Sequence, residues 1–221
     1  MASKGVIVEF DFTVVDGAEL LFSTTSDFLK ELDGISFDMP TEDRFMSGCY
    51  YLAGLTEFFQ EVKTKKTAQK AARDLSAAFV AALNEAVPAA ISPAFKNFVK
   101  VLTDKGVKVV IATRADLEKV TPAFKPILSD NVVLHHESST CYGSVKWDSW
   151  RRACAAHKMS GFSTIAVVGS GKSVKSALHA GMGAFAVVND HVAYQDFSGA
   201  DEVVDELSGV TAKKLLDVLR V

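Results

Sequence analysis

Four runs along the chain are apolar at nearly every position and rich in β-branched residues: "GVIVEFD" (5–11), "GVKVVIATR" (106–114), "STIAVVGSG" (163–171) and "GAFAVVND" (183–190). Each ends in small or polar residues. Continuous apolar runs of this length predict strands buried on both faces of a parallel sheet. A fifth, "NVVLHH" (131–136), fits between the second and third. Amphipathic segments separate them: "SPAFKNFVKVLTDKG", "VKWDSWRRACAAHK", "KSVKSALHAG" and, at the end, "TAKKLLDVLR". The alternation predicts an α/β fold, a three-layer doubly wound parallel sheet of Rossmann type with helices on both faces.

Residues 18–90 break that alternation. "AELLFSTTSDFLKELDG", "TEDRFMSGCYYLAGLTEFFQEV" and "KTAQKAARDLSAAFVAALNEAV" are helical in period, and Pro88 with Ser92-Pro93 closes the stretch. The expectation is a helical cap (18–90) inserted after the first strand of a core built from residues 1–17 and 91–221.

Composition narrows the class. The chain has 221 residues, 48% of them hydrophobic, enough for a substantial packed core. No apolar run has the length of a membrane span, and "MASKG" enters the first strand without a signal-peptide pattern, so the cytoplasm is the expected location, with no membrane partner. Cys49, Cys141 and Cys154 lack CxxC spacing and are expected reduced and packed. A net charge of -3 exerts no long-range pull on nucleic acid, and the basic stretch "KTKKTAQKAAR" (63–73) reads as a solvated helix face.

In an open parallel sheet, ligands bind at the carboxyl ends of the strands. Those ends carry Glu9, Asp11 and Thr13, then Thr113 and Arg114, then Gly169 to Ser173, and Asp190. Strand side chains alternate faces, so Glu9 and Asp11, at the end of the first strand, point the same way, beside each other. Buried like charges cost free energy unless a cation, a shared proton or a ligand compensates, so the pair is a catalytic site or the remains of one.

Gly171-Lys172-Ser173 matches the end of the phosphate-loop pattern GxxxxGK[ST], but the leading glycine would fall on Ala166, inside the strand. The backbone N–H groups at this helix start, with Lys172, still suit an anion; an ordinary glycine turn explains them equally well. His135-His136-Glu137 invites a metal reading, yet strand neighbours face opposite ways, so a chance exposed cluster is the better account. Asp190 reads as a loop residue. "RFMSGCYY" (44–51) is placed to approach a substrate or simply to pack helices. Trp147 and Trp150 read as core or cap-facing.

Taken together, the strand ends resemble the haloacid dehalogenase superfamily, in the helical-cap branch of β-phosphoglucomutase-like phosphatases. The first motif of that family, DxDGT(L/V)xD, stands here as Glu9-Phe10-Asp11-Phe12-Thr13-Val14-Val15-Asp16. The second is matched by "VVIATR" with Thr113, the third by Lys146 in "GSVKWDSW", and the fourth, VGDSxxDxxAAxxAGM, by "VGSGKSVKSALHAGM", one residue shorter. "GADEVVDELSGV" resembles the closing segment of the family.

The resemblance implies a mechanism in which the first Asp attacks phosphorus and the second protonates the leaving group and then activates water. It also implies that the motif-two hydroxyl and the motif-three Lys hold the phosphoryl oxygens, while magnesium, bound by the first Asp, a backbone carbonyl and the motif-four acids, offsets charge. Here Asp11, Thr113 and Lys146 are kept. Glu9 replaces the nucleophile, Ser170, Gly171 and Ser173 or Val174 stand where the acids would be, Phe12 fills the glycine position and Trp147 the proline position.

Lengthening the nucleophile displaces its carboxylate by more than an ångström, and about 1 Å of misplacement can cost ~10²-fold in rate. With the acids gone, no metal ligands are assigned. The candidate catalytic residues are Glu9, Asp11, Thr113 and Lys146; the candidate phosphate-binding residues are Thr113, Arg114, Lys146, Gly171 and Lys172. Lys172 is expected to supply the missing positive charge by pairing with Glu9 or with a bound anion. The expected partner is phosphate or a phosphorylated small molecule. Three functions stay open: an impaired relative that binds such a ligand, an altered phosphomonoester hydrolase using Asp11 or Glu9, and a non-enzymatic interaction domain.

Overall fold

The sheet forms where the chain is most apolar. In the computed structural model, which describes residues 4–45, 52–137 and 146–221, β1 (Gly5–Glu9) is buried along its whole length. β2 (Lys108–Thr113) and β3 (Val132–His136) lie to one side of it; β4 (Thr164–Val168), β5 (Gly183–Val187) and β6 (Glu202–Val204) lie to the other. The order is β3-β2-β1-β4-β5-β6, and every neighbouring pair is parallel. Strand order therefore reverses between β1 and β4, the switch point at which such sheets open a crevice beyond their carboxyl ends.

Side chains divide by the two-residue strand period. Val6 and Val8 of β1 join one apolar cluster, while Ile7 joins the cluster on the opposite face.

The helices follow in chain order. A four-residue helical turn, α1 (Phe10–Thr13), leads into α2 (Gly17–Asp33), α3 (Met39–Phe45), α4 (Leu52–Val62) and α5 (Ala68–Ala86), which form the helical cap region. The remainder are α6 (Pro93–Thr103), α7 (Leu117–Phe124), α8 (Lys146–Ala156), α9 (Gly171–His179) and α10 (Gly209–Leu219). Helix α6 packs on α10 over one face of the sheet through Phe95, Phe98 and Leu215. Helices α8 and α9 cover the other through Trp150, Val174 and Ala177. Start signals are explicit in the sequence. The Ser92 hydroxyl accepts from Phe95 N ahead of Pro93, Thr67 accepts from Lys70 N, and Ser208 with Thr211 forms a capping box.

Two departures from the sequence reading shape the site. First, β1 stops at Glu9. The next residues turn helical, with Val14 N and Val15 N both donating to Phe10 O. That turn drops Phe10 edge-on against Phe124 (5.3 Å) and stacks Phe12 on Phe79 (6.2 Å), so burying two aromatic rings outweighs two more residues of strand. Second, β5 ends at Val187, which leaves Asp190 exposed on the loop beyond it. Helix α7, which carries Pro122 inside it, and the three-residue β6 are additional to the elements expected from the sequence. The stretch expected as one helix over 41–62 contains α3 and α4, and residues 46–51 lie outside the described residues. No described helix is long and apolar enough to cross a membrane.

Candidate functional site

The two carboxylates at the head of β1 are both buried, Glu9 at 2% and Asp11 at 1% exposure, and Asp11 lies on the helical turn beyond the strand. Because the chain turns after Glu9, they diverge into separate sets of donors. Glu9 reaches the β4–α9 connection: Oε2 accepts from Gly169 N (3.3 Å) and Oε1 from Ser173 Oγ (3.2 Å). Asp11 turns to the end of β2. Its Oδ1 accepts from Thr113 Oγ1 (2.5 Å), and its Oδ2 accepts from Arg114 N (2.9 Å) and Arg114 Nη1 (3.4 Å). These donors offset part of the cost of burying the two carboxylates.

The junction is close-packed. A Cβ on Gly169 would stand 1.9 Å from Phe12 O, so only glycine lets β4 pass over the α1 turn. A Cβ on Gly17 would meet Asp11 O at 2.0 Å, which fixes the start of α2 in the same way.

Thr113, Arg114, Gly171 and Lys172, of the candidate phosphate ligands, each have partners within the protein. Thr113 donates to Asp11 and accepts from Ala115 N (3.0 Å). Arg114, 5% exposed, lies between Asp11 and Glu137, with Nη2 3.3 Å from Glu137 Oε2. Gly171 N donates to Gln195 Oε1 (2.9 Å), and Ser170 caps α9 by accepting from Ser173 N (3.1 Å). Lys172 donates to Phe45 O at the end of α3 (3.1 Å), so its amine reaches the cap region. The backbone of Lys146 opens α8, and its side chain, like that of Trp147, lies outside the described residues.

Glu137 was missed as a site residue. Of the predicted surface cluster only His136 is exposed. Glu137 is buried against Arg114, and His135 Nδ1 faces His157 Nε2 at 3.3 Å. Arg44 pairs with Glu61 (2.9 Å) on the exposed cap surface, and Trp150 is core. Cys154 is a buried free thiol pushed up by burial, while Cys49 and Cys141 lie outside the described residues. A surface cleft of about 560 Å³ lined by Lys96, Lys100, Ile127 and Val132 sits at the amino end of β3, at the opposite end of the sheet from the carboxylates.

Magnesium does not fit this donor set. It requires near-octahedral oxygen coordination at roughly 2.0–2.1 Å. Glu9 and Asp11 face different donors, and the residues of the β4–α9 turn present N–H and O–H groups to Glu9 in place of carboxylates. Among the described residues no group of three or more His, Cys, Asp or Glu is placed to hold a metal ion.

A parallel sheet in this order with a helical cap region following its central strand is a haloacid dehalogenase-type fold. Solved structures agree. β-Phosphoglucomutase from Clostridium difficile matches with a TM-score of 0.74 at 13% identity, over 99% of this chain and 97% of its own. A HAD hydrolase of family IA, variant 3, from Entamoeba histolytica matches with 0.71 at 13% identity, over 99% and 100%. CbbY from Rhodobacter sphaeroides, solved in complex with phosphate, matches with 0.66 at 16% identity, over 94% and 95%. No protein-family model and no curated protein matches the sequence.

Proposed function

We propose that this chain is a phosphohydrolase homologue with an impaired catalytic step, which binds a phosphorylated small molecule between a core of residues 1–17 and 91–221 and a cap of residues 18–90. One observation carries the reading: both candidate catalytic carboxylates are already bonded. A nucleophile is weakened by donors that draw on its electron density, and each Glu9 oxygen accepts one from the β4–α9 junction. An acid must bring a proton to the leaving group, and the three donors that Asp11 accepts from all address its ionised form.

Thr113, Arg114, Lys146, Gly171 and Lys172 are the proposed anion ligands. To bind, phosphate exchanges places with the internal acceptors Asp11, Glu137, Gln195 and Phe45 O. The fold shared with CbbY, which holds phosphate in its solved structure, supports a phosphate-bearing ligand. A second reading, slow hydrolysis with Asp11 as base for water, rests on Asp11 and Thr113 being kept together at 2.5 Å.

The deciding experiment is a panel of phosphomonoesters assayed with wild type, Asp11→Asn and Glu9→Asp, beside thermal shifts with inorganic phosphate. The first reading predicts no turnover and a raised Tm with phosphate. Turnover that Asp11→Asn abolishes selects the second. A Tm indifferent to phosphate and phosphosugars removes the ligand-binding part of the proposal.

A further inference from the structure

His135 and His157 meet where the edge of the sheet passes the end of α8. The parallel register sets His135 beside Ala112, which belongs to the apolar cluster under α8 and α9, so the His135 ring is on the face that α8 covers. His157 comes at the close of α8, its N–H still bonded to Ala153 O (3.1 Å). Both residues are half-buried. The facing nitrogens, His135 Nδ1 and His157 Nε2, are 3.3 Å apart, and the ring centroids are 5.2 Å apart with the planes at 78°.

A ring nitrogen directs its lone pair, or its N–H, outward along the line from the ring centre, which lies about 1.15 Å behind it. A straight N–H···N bond of the observed length would therefore hold the centroids about 5.6 Å apart. Two nitrogens at about 2.05 Å from one tetrahedral ion stand about 3.3 Å apart, with their ring centres about 5.2 Å apart. Both observed lengths match that second arrangement. We propose that His135 Nδ1 and His157 Nε2 form a two-histidine site for a tetrahedral divalent cation, zinc, with water in the remaining two positions. Imidazole suits zinc, whereas magnesium and calcium take oxygen ligands. Square-planar copper would draw the two nitrogens closer, to about 2.9 Å. Binding exchanges two waters of the aqueous ion for two nitrogen lone pairs, and the proton held between the rings in the metal-free contact moves to the outer nitrogen of its own ring. Burial keeps both rings neutral, which leaves those lone pairs available. Glu137 acts on His135 as a negative charge, while His136, Arg152 and Lys108 act in the opposite sense, so the affinity comes from the two dative bonds and not from the surrounding field. The site uses none of the proposed phosphate ligands and stands without that reading.

Zinc chloride is titrated calorimetrically into EDTA-stripped, dialysed protein at neutral pH, with wild type beside His135→Gln, His157→Gln and His136→Gln. One equivalent should bind to wild type and to His136→Gln. Each of the other two variants should weaken that equivalent tenfold or more, because a chelate becomes a single ligand. Long-range proton–nitrogen NMR spectra of the histidine rings in wild type read the site without substitution, and decide alone if a variant does not fold. Zinc should shift the His135 and His157 rings and leave His179 and His191 in place, and magnesium at the same concentration should shift neither pair. No zinc binding, equal binding in all four proteins, binding lost with His136, or shifts confined to other histidines overturns the proposal and leaves the contact a hydrogen bond alone. Shifts of His135 and His157 by magnesium overturn the assignment to zinc.

Discussion

Arg114 and Glu137 form a buried ion pair, Nη2 to Oε2 3.3 Å, with the side chains 5% and 9% exposed. The same guanidinium lies 3.4 Å from Asp11, so one cation serves two carboxylates that approach from β3 and from the turn after β1. Removing one member leaves buried charge uncompensated, which costs about 3–5 kcal/mol in comparable pairs. Glu137→Ala is expected to lie at the lower end, about 3 kcal/mol, because Asp11 still faces Arg114. Glu137→Gln retains an acceptor and should cost less, about 1–2 kcal/mol. Urea unfolding of both variants measures the difference. Equal losses would mean that the packing of Glu137, and not its charge, matters.

Gly169 gives a sharper steric prediction. Phe12 O lies 1.9 Å from where a Cβ on residue 169 would stand, and both partners are backbone, so no rotamer change relieves the clash. Gly169→Ala should destabilise the protein by about 3 kcal/mol, at the upper end of the usual cost of overpacking. An alanine variant with wild-type Tm would show that the α1 turn can move away from β4.

The facing imidazoles of His135 and His157 predict a pH dependence. Burial holds His135 below its ordinary range, with Glu137 opposing and His136 and Arg152 reinforcing. Burial, then His135 and Lys108, hold His157 low as well. Both are therefore neutral in the folded protein at a pH where the unfolded chain, titrating near 6.5, takes up protons. The unfolded state binds more protons as pH falls, so the contribution of the pair is complete above about 6.5 and is lost progressively below it. Urea midpoints measured from pH 8 to 5 should fall more steeply for wild type than for a His135→Gln/His157→Gln variant. Parallel curves would refute the assignment.

The sheet was legible because strands buried on both faces must be apolar throughout, and β1 to β5 were located within a few residues of their ends. The junction chemistry was legible in part: the spacing of Glu9 and Asp11 flagged a buried pair. Its geometry was hidden, because the direction of Asp11 depends on where β1 stops, and that is decided by Phe10 and Phe12 packing on Phe124 and Phe79, residues far along the chain. Glu137 was hidden for a related reason. Beside two histidines at a strand end it looked like surface, and only the parallel pairing of β2 with β3, Thr113 opposite His136, brings it to Arg114. The bond from the Lys172 amine to a cap carbonyl was hidden as well, since no local pattern announces it.

That bond from Lys172 Nζ to Phe45 O, 3.1 Å, crosses from the first turn of α9 to the last residue of α3. An amine at the carboxyl end of a helix satisfies a carbonyl that has no partner within the helix and complements its dipole. Because the bond joins core to cap, its loss should show locally more than globally. Lys172→Met keeps most of the aliphatic stem and removes the donor. Global stability should fall by about 1 kcal/mol, the net worth of a single hydrogen bond. Amide exchange in Met39–Phe45 should quicken severalfold while exchange in β1 and β4 stays as in wild type, since the α3 edge would open without unfolding the sheet. Unchanged protection in α3 would show that the amine does not hold the cap edge. Uniformly faster exchange would show that it supports the whole fold.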